Sequence, residues 1–207
     1  MGRDSIDQVW EEFLSPEVLR GKLITASLYL AAYEMLKNGI IGRLKDFYTF
    51  GFDGQGERID PRYKHEVLGR SPSVLYASLS WLRERGAIGQ DDFAKFEELK
   101  ECRNRIAHDM LSLVITGADF GHLRLLSDLF ALLKKVEAWW IVNVEIPTSE
   151  DFAGVEIDEE GIIPGSVMTV KMMLDIALGY EAEATAYLKA FREQRRGPTA
   201  PPSDQHE

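Results

Sequence analysis

The sequence predicts an all-α protein, a helical bundle of four main helices with smaller additions. Three observations predict it. Apolar residues recur at three- and four-residue spacing through long segments. Gly, Pro and polar breaks part those segments. Only two short stretches, both after Trp140, read as strands.

The elements follow in order. Residues 5–14 suit a short helix that stops at Ser15-Pro16. Pro16 fits the first turn of the next helix, with Ser15 as its N-cap, because proline lacks the N–H that a first turn leaves unused. That helix carries the stripe Ile24, Leu28, Ala31 and Met35 to about Asn38-Gly39 and continues through Ile40, Ile41, Leu44, Phe47 and Tyr48. Residues 49–70 interrupt the pattern with Gly51, Gly54, Gly56, Pro61 and Gly69, and read as an irregular insertion. Ser71-Pro72-Ser73 opens a helix through Leu75, Leu79 and Leu82 that ends near Gly86. Asp91 or Asp92 opens the next, with Phe93, Phe96, Leu99, Ile106 and Met110. Gly117-Ala118-Asp119 separates it from a helix holding Leu123, Leu126, Leu129, Leu132, Leu133 and Val136.

Trp139 and Trp140 lie near the end of that helix and are expected in the core. VNVEIP and VEIDEEGIIPG, within 141–163, read weakly as a small β-hairpin. An extra C-terminal helix begins around Pro164 and runs to about Arg192. Residues 1–194 thus read as one domain, its core between about 16 and 140, and 195–207 as a disordered tail.

Composition bounds the function. The 207 residues are 45% hydrophobic and 28% charged, enough for one core and too apolar for general disorder. No apolar run approaches the ~18 residues a membrane helix needs. The N-terminus MGRDSIDQVWEEF is polar and does not resemble a secretion signal. Cys102 is the only cysteine, which excludes an internal disulfide and a cysteine zinc site. A cytoplasmic protein is expected, without membrane partners.

The net charge is -10, from 24 basic and 34 acidic residues. Binding long nucleic acid through its backbone calls for a basic surface, so DNA is not expected as a partner. The acid is uneven. Residues 141–160 hold seven Asp or Glu and no Lys or Arg, leaving -3 elsewhere. A local anion site therefore remains open. Neither a Walker lysine motif nor EF-hand spacing is present, and Gly51, Gly54 and Gly56 are not spaced for a dinucleotide. No metal or cofactor is expected.

One segment carries chemistry: LKECRNRIAHDM, Leu99 to Met110. On a straight helix centred on Leu99, Ile106, Met110 and Phe96 fall within about 60° of the apolar centre. Arg103 falls about 40° from it, an awkward place for a charge. A guanidinium there needs a partner or an exit to water. Glu34, in AAYEMLK, is a candidate partner, or else a solvated helix residue. Asn104 and His108 share a face opposite the core. Arg103 and His108 differ by about 140° in direction. Convergence on one atom needs a reaching arginine, a helix irregularity, or the same helix from a second copy of the chain.

The run Arg103-Asn104-Arg105-Ile106-Ala107-His108 resembles the R-x-x-x-x-H signature of the HEPN superfamily, in its form with Asn after the Arg. The approach is similar too: Leu79-x-x-Leu82, then Gly86-Ala87-Ile88, then Asp91-Asp92-Phe93. The likeness covers roughly Pro16 to Trp140.

This resemblance implies an all-helical homodimer with both motif copies at the dimer cleft. It implies metal-independent RNA cleavage, as in toxins and phage-defence effectors, often beside a nucleotidyltransferase-like antitoxin. By position, His108 is then the general acid or base on a ribose 2′-hydroxyl. Arg103 stabilises the phosphate, Asn104 orients one of the two, and the product carries a 2′,3′-cyclic phosphate. Other members of the superfamily are inactive binding or dimerisation modules, and the alternative reading for this chain is a catalytically inactive interaction or nucleotide-binding module.

Four further residues are candidates for substrate contact. Arg105 lies three before His108. Arg62, Lys64 and His65 lie in the insertion, where Lys37 to Arg70 holds seven basic against five acidic residues. A solvated surface is the plainer reading of each. His122 is expected to face solvent or cap a helix.

Overall fold

In the computed structural model, residues 3–117 and 121–196 are described. The first helix, α1, spans Arg3–Leu14, and α2 spans Pro16–Phe47. A hairpin follows, β1 Thr49–Asp53 and β2 Gly56–Ile59. Then come α3 Val74–Glu84, α4 Gln90–Thr116 and α5 His122–Trp140. A one-turn α6, Ile146–Thr148, precedes α7 Gly165–Leu178 and α8 Glu181–Arg196. The all-α bundle expected from the sequence is the observed fold.

α2 is the central helix and packs against α3, α4, α5 and α7. Pro16 occupies its first turn as the sequence predicts, and the Leu19 N–H donates to the Ser15 carbonyl at 2.9 Å. Being covered on several sides, α2 buries Ala26, Tyr29, Ala32, Leu36, Ile40 and Leu44 completely. Ile24, Ala31 and Met35 of the expected stripe are only half-buried, and Leu28 alone of the four is in the core.

The other helices obey their end signals. Asp92 Oδ2 accepts from the Gly89 N–H at 2.6 Å and so fixes the start of α4. Gly117, with φ +67°, ends it in the left-handed conformation that glycine adopts without strain. Gly86, with φ +76°, does the same after α3.

Tryptophans seal the centre. Trp81 of α3 stacks on Trp140 of α5 with centroids 5.9 Å apart and planes at 9°. The Trp140 indole N–H donates to the Gly39 carbonyl at 3.2 Å. Trp140 is core, as expected, and Trp139 packs half-buried against it. The core cluster runs on to Val170 in α7, beyond the expected limit near residue 140.

Three expectations are corrected. Residues 141–163 form no strand. The chain leaves α5 as a π-helical turn, Ile141–Glu145, then α6, then a 3-10 turn, Glu150–Phe152. Val142, Val144 and Ile146 pack half-buried on this continued helix instead, with Val144 against the core, while Val155 and Ile163 of the second stretch are exposed in irregular chain.

The hairpin lies within the stretch read as irregular. Gly54-Gln55 turns it between the paired Asp53 and Gly56, with Asp53 Oδ1 accepting from the Gln55 N–H at 2.8 Å and Gly56 at φ +121°.

Finally, the C-terminal helix is two helices, because the chain breaks at Gly179-Tyr180. Of the tail read as 195–207, Arg195 and Arg196 belong to α8, and residues 197–207 lie outside the described residues, as do Ala118 and Asp119 of the break after α4. No helix among the described residues is long and apolar enough to cross a membrane.

Candidate functional site

The motif residues ride on α4, which lies against α2. Ile106 and Leu99 are wholly buried, so they fix the rotation of the helix. That rotation brings Arg103 to the α2 boundary with one-third of its side chain exposed. Arg103 Nη2 donates to Glu34 Oε1 at 2.9 Å. Nη1 donates to Asn104 Oδ1 at 3.4 Å, and the guanidinium lies 5.9 Å from the centre of the Tyr33 ring. Its Nε–H is buried without a hydrogen-bond partner.

Glu34 also accepts from Lys37 Nζ at 3.0 Å. Lys37 and Arg103 together hold its carboxyl below the ordinary carboxylate range, against a smaller opposing effect of burial. Burial pushes the Tyr33 phenol up to about 12, although Arg103 pulls it down. Tyr33 is therefore a neutral hydrogen donor at ordinary pH and a ring surface for the arginine.

His108 is exposed, as are Ala107 and Asp109 beside it. Leu111 is 71% exposed on the next turn. Asp109 has non-helical angles, φ -117° and ψ 26°, so α4 kinks just past the motif. The kink follows His108, so Arg103 and His108 keep the helical offset of about 140°. One chain brings Arg103, Asn104 and Glu34 together and leaves His108 on another face. Arg105 is exposed.

Polar neighbours extend the site along α4 and α3. Tyr76 donates to Glu97 Oε2 at 3.0 Å and receives a bond from Lys100 Nζ. Glu97, Glu98, Lys100, Glu101 and Asn104 wall a shallow groove of about 360 Å³. Sequence reasoning missed Tyr33, Lys37 and this network. Lys37 stands three residues after Glu34, a usable signal once Glu34 was chosen, whereas Tyr33, adjacent to Glu34, gave none.

The insertion candidates sit elsewhere. Arg62 is clamped to Asp60, with Nε at 2.9 Å and Nη2 at 2.7 Å from Oδ2. Lys64 and His65 are exposed on a π-helical turn, Tyr63–Val67. None belongs to the Arg103 cluster.

His122 corrects the sequence reading. It is only 8% exposed, at the first position of α5, because α5 packs on α4 and α2 there.

Among the described residues, no group of three or more His, Cys, Asp or Glu is placed to hold a metal ion. Comparison of the chain with protein-family models, with curated proteins and with solved structures finds no match.

Proposed function

We propose that this chain is a HEPN-type endoribonuclease that acts as a homodimer and needs no metal. The observation that carries the reading is the division of labour on α4. Arg103 is oriented by Glu34 and Tyr33 with one-third of its side chain exposed, while His108 stands exposed and pairs with no carboxylate among the described residues.

The chemistry is self-sufficient. RNA carries its own nucleophile in the 2′-hydroxyl. His108 takes the 2′-hydroxyl proton as that oxygen attacks phosphorus. The bond from phosphorus to the 5′-oxygen breaks, and the leaving oxygen takes a proton from a second imidazole. Arg103 stabilises the charge that develops on the phosphoryl oxygens. The products are a 2′,3′-cyclic phosphate and a 5′-hydroxyl.

A second copy of the chain supplies the second imidazole. It also resolves the angular offset, since a two-fold axis sets Arg103 of one α4 beside His108 of the other. A nucleotidyltransferase-like antitoxin is part of this reading.

The test is cleavage of labelled single-stranded RNA and tRNA in EDTA by the wild-type chain and by His108→Ala. The reading expects cyclic-phosphate ends from the former and none from the latter. Intact RNA with both removes it.

A specific observation favours a second reading, an inactive interaction module. The Arg103 charge is already matched by Glu34, and Glu97, Glu98 and Glu101 line the groove beside Asn104. That reading expects no growth arrest on expression, and an arrest relieved by His108→Ala eliminates it.

A further inference from the structure

The hairpin that interrupts the bundle exposes two aromatic side chains on one strand. Phe52 is 78% exposed and Phe50 61%. The register slips by one between Thr49 and Gly51, so Phe50 is the extra residue of a bulge. Bulges re-aim a side chain, and this one sets the Phe50 ring 4.9 Å beneath the guanidinium of Arg58.

At the root of the hairpin Phe50 enters a cleft of about 380 Å³, walled also by Phe47, Tyr48, Arg62, Glu66 and Arg85. Phe47 is itself 49% exposed. Its chemistry is mixed: ring faces, a phenol bound to Glu66 at 2.6 Å, and two guanidiniums. Arg62 is held by Asp60. Arg85 is exposed, lies 5.0 Å over Trp81, and pairs with no carboxylate among the described residues.

Charge separates this region from the rest of the molecule. Residues 43–85 carry eight Lys or Arg against six Asp or Glu, in a chain of net charge -10. An apolar peptide segment would meet ion pairs here, and a cation would meet guanidiniums. A planar base with an attached phosphate suits both features, since every base offers a face to stack and the phosphate suits Arg85.

We infer that this cleft binds an unpaired nucleotide of single-stranded RNA, its base against Phe50 and Phe47 and its phosphate at Arg85. The inference rests on the RNA reading above and adds a second contact to it. Phe47 and Glu34 are both on α2, about 20 Å apart along its axis and about 140° apart around it. The cleft is thus a separate grip, outside the Arg103 cluster.

The experiment is fluorescence anisotropy with a 5′-labelled, mixed-sequence 12-nucleotide RNA. It uses the full chain carrying His108→Ala, so that the probe stays whole. Phe50→Ala in that background is expected to weaken binding about tenfold, the loss of one stacked base. Arg85→Gln is expected to weaken it several-fold and flatten the salt dependence. Phe50 is exposed, so unchanged melting of Phe50→Ala confirms that the fold is kept.

Absence of RNA binding by the parent, or equal binding by both variants, overturns the inference. Failure of the cleavage reading looks different. In that case the chain with His108 intact leaves RNA whole, while Phe50→Ala still lowers affinity.

Discussion

Arg103 on α4 and Glu34 on α2 are joined at 2.9 Å across 69 positions of sequence. The pair fixes where the guanidinium can reach, because Glu34 is in turn held by Lys37. Glu34→Gln keeps a hydrogen-bond acceptor and removes the charge that orients Arg103. RNA cleavage by Glu34→Gln is expected to fall about tenfold, whereas Arg103→Ala falls by 10² or more, the scale of losing a charge-stabilising donor. Arg103→Lys is not expected to rescue, since an ammonium cannot bond Glu34 and a phosphate in one plane. Single-turnover rates on one labelled RNA check all three.

His108→Ala separates chemistry from stability. The side chain is exposed and makes no contact that holds the bundle. Its melting temperature is expected to stay with the wild type, within the ~0.5 kcal/mol typical of surface changes. Cleavage is expected to be lost. Paired melting curves and cleavage assays decide it, and a large drop in melting temperature contradicts the assignment.

Arg43 and Glu137 make the most buried ion pair among the described residues. Glu137 is only 5% exposed and accepts from Arg43 Nη2 at 2.6 Å, while Glu145 takes the other guanidinium nitrogen. Arg43→Ala strands a carboxylate in the core and is expected to cost about 3 kcal/mol. Glu137→Gln removes the charge and is expected to cost less. Gly39→Ala also destabilises, since its Cβ would sit 2.6 Å from Glu137 Oε1. Urea denaturation of the three variants ranks them.

Asp92 supplies a pH test. Burial works to raise its pKa, but Lys135 and the Gly89 N–H together hold it below the usual aspartate value. A carboxyl lowered on folding stabilises the native state above its unfolded pKa, about 3.9. That stabilisation disappears as pH falls through the lowered value. Asp92→Ala is therefore expected to melt about 2–4 °C below wild type at pH 7, roughly 1 kcal/mol for a lost cap. The gap narrows as the pH falls below about 4, the unfolded value. Calorimetry across pH 3–7 measures it.

Helix starts and stops were legible because their causes are local. Ser15-Pro16, Asp92, Gly86 and Gly117 act within one turn of where they stand. Phe96, Leu99 and Ile106 of α4 and Leu129, Leu132, Leu133 and Val136 of α5 followed from spacing for the same reason, whereas Leu123, placed on the same stripe, is 67% exposed and Leu125 is buried instead. The site was half legible. The sequence singled out Arg103, Asn104 and His108 together, and it named Glu34 only as one of two alternatives.

The hairpin was misplaced because alternation alone does not choose a strand. Val142, Val144 and Ile146 have strand-like side chains, but α5 delivers them onto a buried surface in helical conformation. Thr49 to Ile59, rich in glycine, forms the ladder because Gly54-Gln55, closed by the Asp53 side chain, can turn it back on itself.

By itself the sequence determined the bundle, its main helix boundaries and the placing of an arginine near the core side of α4. Only the tertiary structure decided that Glu34 meets that arginine, that His122 is buried and that a bulged phenylalanine opens a cleft. The physical reason is range. Backbone hydrogen bonds in a helix close within four residues, whereas ion pairs, burial and strand pairing depend on what another part of the chain brings into contact.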